Sequence, residues 1–426
     1  VKLPDPGSGK TFILTLIARR SCQFAGTRYQ KRGVDENGQA ANDVEIEQIV
    51  HQEIDGECLR KITSIVQNRG SIPLCWSQKP SWLNLRPDVL LSTCNSTCQA
   101  TRLHFESLRL RYGDPIIVLN LVKKCEKKQR ESLLSRAFRG AILSIHEDWP
   151  EKDQLEFLSL DLDAAFRTES TEVLAVLKDF AAIALQKTGF FSCEIPPSLK
   201  FEEPFDFHPR SNSSCNYSQN TQSSGLIDNG KHQKGILRAN CLDSLDRTNV
   251  AQYVYSYVAL GHQLDALGIT GSEELDFNHT LAFELMTIYE AMGDALAQQY
   301  GGSAAHSKIF SKTRGSCKVL TEFCEIVKTM QRHYSNSFVD ADKQKAIDIF
   351  LGHLQPTVGS APLRSNLEDE FNFEGVSAIF LKNKSRIIPY ISSGRLLIDL
   401  EGQWFGRGRN CFKEDADKFD PQCQTG

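Results

Sequence analysis

The chain has 426 residues, 40% hydrophobic and 24% charged, with 49 Lys and Arg against 53 Asp and Glu for a net charge of −4. Single cores stop growing at roughly 250–300 residues, so this length holds two compact units. The charge balance excludes bulk attraction to nucleic acid or to an anionic membrane, so any anionic partner must meet a local basic patch. No apolar run reaches the roughly eighteen residues of a bilayer span. The 13 cysteines are irregularly spaced. Cys94-x3-Cys98 lacks the second Cys/His pair that a zinc site needs, and a reduced, cytosolic protein is expected. Asn95, Asn212, Asn216, Asn278 and Asn383 head glycosylation triplets that carry no weight without a secretory signal. The chain opens at Val1 rather than Met and is expected to be a fragment.

From the start, Pro6-Gly7-Ser8-Gly9-Lys10-Thr11 mimics a nucleotide-binding loop. Pro4 stands where that loop needs Gly, and Lys10-Thr11 runs into a strand, so a turn is expected. Strands are predicted at 11–20, 44–50 and 60–66, and a helix at 96–112. Ile116-Ile117-Val118-Leu119-Asn120 reads as a buried strand. Residues 130–146 read as a helix with its apolar side at Leu133, Leu134, Ala137, Phe138 and Ile142. A strand at 157–162 and a helix at 171–187 follow, and the alternation predicts an α/β core. Residues 203–233 break the pattern: Ser, Asn, Gln and Gly dominate 211–230, as in a mobile surface insertion. Gly235-Ile236-Leu237 reads as the end of a buried strand and 250–267 as a helix. Helices are expected at 281–299, 315–334 and 338–352, the last ended by Pro356. Residues 357–426 lose periodicity, and their scattered bases, Arg364, Lys382, Lys384, Arg386, Arg395, Arg407 and Arg409, read as a solvated tail.

The chemistry concentrates in Asn240-Cys241-Leu242-Asp243-Ser244-Leu245-Asp246-Arg247-Thr248-Asn249. This is Cys-x5-Arg-Thr, the spacing of a thiolate that attacks phosphorus. A strand, a tight loop and a helix N-terminus make an anion cradle, where amides and the helix dipole converge. Cys241 would be the nucleophile, active as the thiolate. Arg247 would grip two phosphate oxygens through its planar fork. The Thr248 hydroxyl is placed to cap the helix and meet the thiolate. Asp243 and Asp246 are both candidate acids, and the sequence does not choose between them. Asn240, Leu242, Ser244 and Leu245 complete the cradle as substrate-binding residues. Arg247 and the amides supply the charge stabilisation, so neither metal nor cofactor is expected. The plainer reading of Cys241 is a buried structural cysteine. The strand before it, the Thr after Arg247 and the two loop carboxylates weigh against that.

Those residues closely resemble the Arg-x-Asn-Cys-x-Asp-Cys-Leu-Asp-Arg-Thr-Asn signature of Sac-domain phosphoinositide phosphatases. The resemblance extends to Ala25-Gly26-Thr27-Arg28-Tyr29-Gln30-Lys31-Arg32-Gly33, Asn42-Asp43-Val44-Glu45-Ile46-Glu47-Gln48 and Arg69-Gly70-Ser71-Ile72-Pro73-Leu74-Cys75-Trp76. It continues through Met292-Gly293-Asp294, Gln299-Tyr300-Gly301-Gly302-Ser303 and Tyr334-Ser335-Asn336. In all it runs from about Leu14 to Pro356. The wording Tyr300-Gly301-Gly302-Ser303-Ala304-Ala305-His306 is most similar to a plant subgroup associated with phosphatidylinositol 3,5-bisphosphate. Three positions depart from the family: Ser244 replaces a second Cys, Ala239 replaces Thr, and Asp161-Leu162-Asp163 replaces Asp-x-His.

The resemblance implies a two-part α/β Sac domain. A β-rich N-terminal subdomain would span 1–115, incomplete at its start. A catalytic subdomain with the Cys-x5-Arg loop would span 116–356, interrupted by the flexible insertion 203–233, and 357–426 would be a C-terminal extension, itself open to truncation. It implies a metal-independent phosphatase acting on a phosphoinositide headgroup at a membrane surface, favouring the 5-phosphate of the 3,5-bisphosphate. Such a protein would lie peripherally on vacuolar or endosomal membranes, with no nucleic-acid role and protein partners unspecified. Hydrolysis of a monophosphate at the 4- or 3-position stays open. The loop also resembles that of myotubularins, whereas protein-tyrosine phosphatases usually place His where Asn240 stands. A non-catalytic scaffold is the alternative that Ser244 and Ala239 invite and that intact Cys241, Arg247 and Thr248 oppose. Asp294, His306, Lys231, His232 and Lys234 are weaker site candidates, and Arg28, Lys31 and Arg32 read as exposed or paired.

Overall fold

The structure, a computed structural model, describes residues 1–5, 9–52, 61–79, 87–92, 98–162, 164–165, 170–194, 230–277, 279–306, 310, 318–354 and 395–398. Strands β1 (Lys2–Pro4), β2 (Thr11–Ser21), β3 (Val44–Gln52) and β4 (Lys61–Gly70) pair antiparallel in chain order. Alternate residues of β2 (Phe12, Leu14, Leu16, Ala18) and of β3 (Val44, Ile46, Gln48, Val50) are buried, the period-two pattern of a sheet with one covered face. A two-stranded ribbon, β5 (Trp76–Gln78) with β6 (Val89–Leu91), lies apart. Helix α1 (Gln99–Tyr112) leads to β7 (Ile116–Asn120), helix α2 (Glu131–Asp148) to β8 (Glu156–Ser159), and helix α3 (Ser170–Thr188) to β9 (Phe191–Glu194). Next come β10 (Ile236–Asn240), α4 (Asp246–Ala266), α5 (Thr280–Gly301), α6 (Lys318–Tyr334), a π-helical turn (Ser335–Val339), α7 (Asp340–Phe350) and β11 (Arg395–Ile398).

β10 completes the main sheet by inserting between β4 and β7, parallel to both. β4 therefore runs four residues past the expected 60–66, because Gln67, Asn68, Arg69 and Gly70 pair with Leu237, Arg238, Ala239 and Asn240. All five residues of β7 and of β10 are buried, as in central strands covered on both faces. The result is one nine-stranded mixed sheet, whose strands come from both sides of residue 115. On one face, Ile116, Val118 and Ile236 pack against Phe105 and Leu108 of α1 and against Leu134, Phe138, Ile142 and Ile145 of α2. On the other, Phe12, Leu14, Ile46 and Leu237 pack against α3, α4 and α5. The fold class is α/β, as the alternation predicts.

α4 is buried nearly all round, including its polar residues. Gln48 of β3 donates to the Ser256 carbonyl and the Gln263 side chain, and Gln67 of β4 to the Gln252 carbonyl and the Ser256 hydroxyl. Side-chain amides thus fix the rotation of this helix over the sheet, where greasy contacts alone would let it slip. Gly235 (φ +73°) admits β10 to its place, since a Cβ there would lie 2.0 Å from the Pro115 carbonyl oxygen. The strand expected to end at Leu237 runs from Ile236 to Asn240, because Arg238 and Asn240 are buried and paired within the sheet. The strand expected at 157–162 is Glu156–Ser159, and α4 starts at Asp246, four residues before the apolar periodicity begins. Residues 203–229 of the expected insertion, and 357–426 apart from β11, lie outside the described residues. Among the described residues no helix is long and apolar enough to cross a membrane.

Candidate active site

β7 and β10 end side by side, Asn120 opposite Asn240, so the segments that leave them emerge at the same edge. Asn240 is fully buried; its Nδ2 donates to Asn120 Oδ1 (2.6 Å) and its Oδ1 accepts from Arg238 Nη1 (3.2 Å). Arg238 in turn donates Nε to His104 Nε2 at 2.9 Å. Burial, joined by the charge of Arg238, keeps His104 well below the ordinary imidazole range. A neutral ring fits that geometry, with Nε2 accepting and Nδ1 donating to the Gly38 carbonyl. Asn240 thus anchors the strand ends.

Cys241 is 2% exposed, and its Sγ accepts a hydrogen bond from the Ser244 N–H at 3.0 Å. Ser244 reaches that position in the left-handed region (φ +50°), which costs a residue with a Cβ roughly 1–3 kcal/mol. The strain is supported by donors from distant segments. Arg32 Nη1 meets the Leu242 carbonyl (3.2 Å), and Asn42 Nδ2 meets those of Asp243 (3.0 Å) and Ser244 (3.3 Å). Arg69 Nη2 meets the carbonyls of Ser244 (2.6 Å) and Leu245 (2.7 Å), and its Nη1 meets Asn249 Oδ1 (3.1 Å). Four successive carbonyls therefore point at Arg32, Asn42 and Arg69. In planar trans peptides the following N–H groups, of residues 243–246, point the opposite way. Burial lowers the Arg69 guanidinium to about 10, against the opposing pull of Cys241, Asp246 and Tyr289. Leu242 packs against the α1–α2 core, and Leu245 against Ala297, Tyr300 and Ala305.

The two loop carboxylates stand in different surroundings. Asp243 is gripped by Arg28 (Nε–Oδ1 2.9 Å, Nη2–Oδ2 2.7 Å) and by Arg32 (Nη1–Oδ1 2.6 Å). Burial alone would raise its pKa, but Arg28, Arg32 and Arg332 outweigh it and hold the carboxyl well below the usual range. Asp246, the first residue of α4, accepts the His306 N–H at 2.6 Å and lies 3.6 Å from Arg332 Nη1. It stays 29% exposed and lines a small pocket with Asn249, Glu290, Asp294 and His306.

Arg247 does not stand alone. Its Nη1 donates to the Leu121 carbonyl (2.9 Å) and to Glu131 Oε2 (2.7 Å), and its Nη2 to Glu131 Oε1 (3.2 Å). Thr248 does not take the expected capping role. Because the helix begins at Asp246, its N-cap is Leu245, which makes no side-chain cap bond, and Thr248 falls on the third helical residue. The hydroxyls of Thr248 and Ser244 are buried without a hydrogen-bond partner among the described residues.

A model of the SacI homology domain matches residues 3–167. The chain is 47% identical over 388 residues to phosphoinositide phosphatase SAC3 of Arabidopsis thaliana, covering 84% of this chain and 47% of that protein. The chain belongs to the Sac-domain phosphoinositide phosphatase family. It is also 41% identical to phosphatidylinositol-3-phosphatase SAC1 of Arabidopsis thaliana (83% of this chain, 42% of that one). To the polyphosphoinositide phosphatase of Schizosaccharomyces pombe it is 37% identical (81% and 39%). The chain spans about half the length of the curated relatives it matches.

In this Sac-domain protein, Arg28, Arg32, Asn42 and Arg69 support the loop, and each lies in a stretch that resembles a family motif. Arg28 and Arg32 are paired, with Asp243 as partner. Nothing in the sequence singles out Glu131 or Arg332. Asp294 accepts the Ala305 N–H, and burial raises its carboxyl, helped by the charges of Asp246 and Glu325. The His306 ring meets Glu325. Lys231, His232 and Lys234 precede β10 at the end away from Cys241, where His232 packs against Phe191. Asp161 accepts the N–H groups of Lys124 and Ala164, a local bracing role, and Asp163 lies outside the described residues.

Proposed function

We propose that this chain is a phosphoinositide phosphatase working through a phosphocysteine. The Cys241 thiolate attacks phosphorus, forming the S–P bond as the P–O bond to inositol breaks. An acid gives its proton to the departing oxygen, and water then cleaves S–P, returning a proton to that acid and releasing inorganic phosphate. Arg247 and the inward N–H groups meet the charge on the phosphoryl oxygens, so the scheme calls on no metal.

The observation that carries this reading is the loop itself, a buried thiol that accepts the Ser244 N–H while the loop carbonyls are turned to Arg32, Asn42 and Arg69. The hydroxyls of Ser244 and Thr248, unpaired among the described residues, add donors that a phosphate would satisfy. Asp246 is the acid. Asp243, held ionised between two guanidiniums, has no proton to give, and instead ties the loop to the N-terminal segment. Arg28, Arg32, Arg69 and Arg332 offset the two loop carboxylates, which is how an acidic loop tolerates an anionic substrate.

The preferred substrate is phosphatidylinositol 3,5-bisphosphate, cleaved at the 5-position on a vacuolar or endosomal membrane, supported by the wording around Tyr300 and Gly302. The 41% likeness to a protein named a phosphatidylinositol-3-phosphatase supports the 3-monophosphate as second reading. Phosphate release from a panel of short-chain phosphoinositides, with EDTA present and Cys241→Ser alongside, separates them. Release of the 5-phosphate that survives the chelator and vanishes in the variant is expected. Preference for the 3-monophosphate favours the second reading, and release that persists in Cys241→Ser overturns thiolate catalysis.

A further inference from the structure

Glu131 opens α2, and its carboxylate lies along one edge of the Arg247 guanidinium: Oε2 takes Nη1 at 2.7 Å and Oε1 takes Nη2 at 3.2 Å. The carboxylate is itself held, because the Lys123 N–H donates to Oε2 at 3.0 Å. The Leu121 carbonyl, at the end of β7, takes Nη1 as well. Both side chains are largely shielded, 15% exposed for Arg247 and 10% for Glu131. A carboxylate beside an arginine that must bind an anion weakens the local positive field. Such a pair is unfavourable for binding unless its geometry serves the reaction. The fork-to-carboxylate contact fixes the plane of the guanidinium, which a single hydrogen bond would not.

We propose that Glu131 is the positioning residue for Arg247, fixing the plane in which its guanidinium meets a phosphoryl group over Cys241. The proposal rests on the phosphatase reading above. Glu131 touches no reacting atom and acts only through Arg247. The connection between β7 and α2 thereby becomes part of the phosphate site, although it is more than a hundred residues from the loop in sequence. The other assignment of the same contact, a latch that withholds Arg247 until substrate displaces Glu131, makes the opposite prediction for rate.

The test compares the full chain with Glu131→Gln, Glu131→Asp, Arg247→Lys and the Glu131→Gln/Arg247→Lys double variant, on a short-chain phosphoinositide. Gln keeps the shape but loses the charged fork. Glu131→Gln should lower kcat by about tenfold to a hundredfold, the scale of a misplaced catalytic contact, and change KM by less than about threefold. Vanadate, which mimics the transferring phosphoryl, should bind more weakly in parallel with kcat. Glu131→Asp should recover part of the loss. In the Arg247→Lys background, Glu131→Gln should cost less than about twofold, because the residue through which it acts is already changed. A rise in kcat/KM for Glu131→Gln overturns the proposal in favour of the latch. Equal proportional losses in both backgrounds, or losses that track a fall in melting temperature, overturn it in favour of a structural pair. If the wild type hydrolyses no lipid, the phosphatase reading fails, and vanadate calorimetry decides separately. Affinity weakened about tenfold by Glu131→Gln then upholds the positioning of Arg247, and unchanged affinity overturns it.

Discussion

Arg28 grips Asp243 through two parallel hydrogen bonds, Nε to Oδ1 at 2.9 Å and Nη2 to Oδ2 at 2.7 Å. The pair joins the N-terminal strands to the loop that follows β10, and it decides which loop carboxylate is left to move a proton. Arg28→Ala leaves Asp243 shielded with half its compensation. It should destabilise the fold by about 3 kcal/mol, the lower end for a broken buried pair since both side chains are 16% exposed. Urea unfolding measures this directly.

The same pair sets an acid limb. Because the folded pKa of Asp243 is depressed, its stabilisation is complete above the ordinary carboxyl range near about pH 4 and is lost as pH falls towards the folded value. Asp243→Asn should be less stable than wild type at pH 7. Its stability should also fall less steeply than wild type below about pH 4. Thermal melts of both proteins across that range check the slope.

Asp246→Asn should lower turnover of a phosphoinositide by about 10²–10⁴-fold, the usual contribution of a general acid. With an aryl phosphate, whose leaving group needs no proton, the loss in kcat/KM, which reports formation of the phosphocysteine, should nearly disappear. Asp243→Asn, whose role is to hold the loop, should lose activity on both substrates alike. Steady-state kinetics on the two substrates separate these roles.

Thr248→Val removes a buried hydroxyl that has no partner among the described residues and does not cap α4. Its melting temperature should equal or exceed that of wild type, whereas loss of a real N-cap would cost about 1 kcal/mol. Activity should fall, since the hydroxyl is reserved for phosphate.

Gly235→Ala should cost at least about 2 kcal/mol in chemical denaturation, because φ is +73° and the new Cβ would lie 2.0 Å from the Pro115 carbonyl oxygen.

Strands β2, β3 and β7 and helices α1 to α5 were legible in the sequence because their apolar spacing is local, whereas β10 was read as ending at Leu237 because the polar Arg238 and Asn240 break its apolar run. The Cys241–Arg247 loop was legible because its residue types and spacing sit within ten positions. What escaped was set by contacts distant in sequence. β4 is longer than its pattern because β10 pairs with it from across the chain. Thr248 looked like a cap because the apolar periodicity starts at Val250, although the helix itself starts at Asp246. Arg69 and Asn42 stood inside recognisable stretches, yet their target, the carbonyls of residues 243–245, is set only by folding. Glu131 and Arg332 look like ordinary helix charges until α2 and α6 bring them beside Arg247 and Asp246.

The central claim is that phosphorus passes through Cys241. Acid-quenching the wild-type chain during turnover of a phosphoinositide, followed by mass spectrometry of the peptide that contains Cys241, tests it most directly. One phosphoryl group on Cys241, absent in Cys241→Ser, is the expected result. Steady turnover with an unmodified Cys241 at every quench time, equally fast in Cys241→Ser, would contradict it.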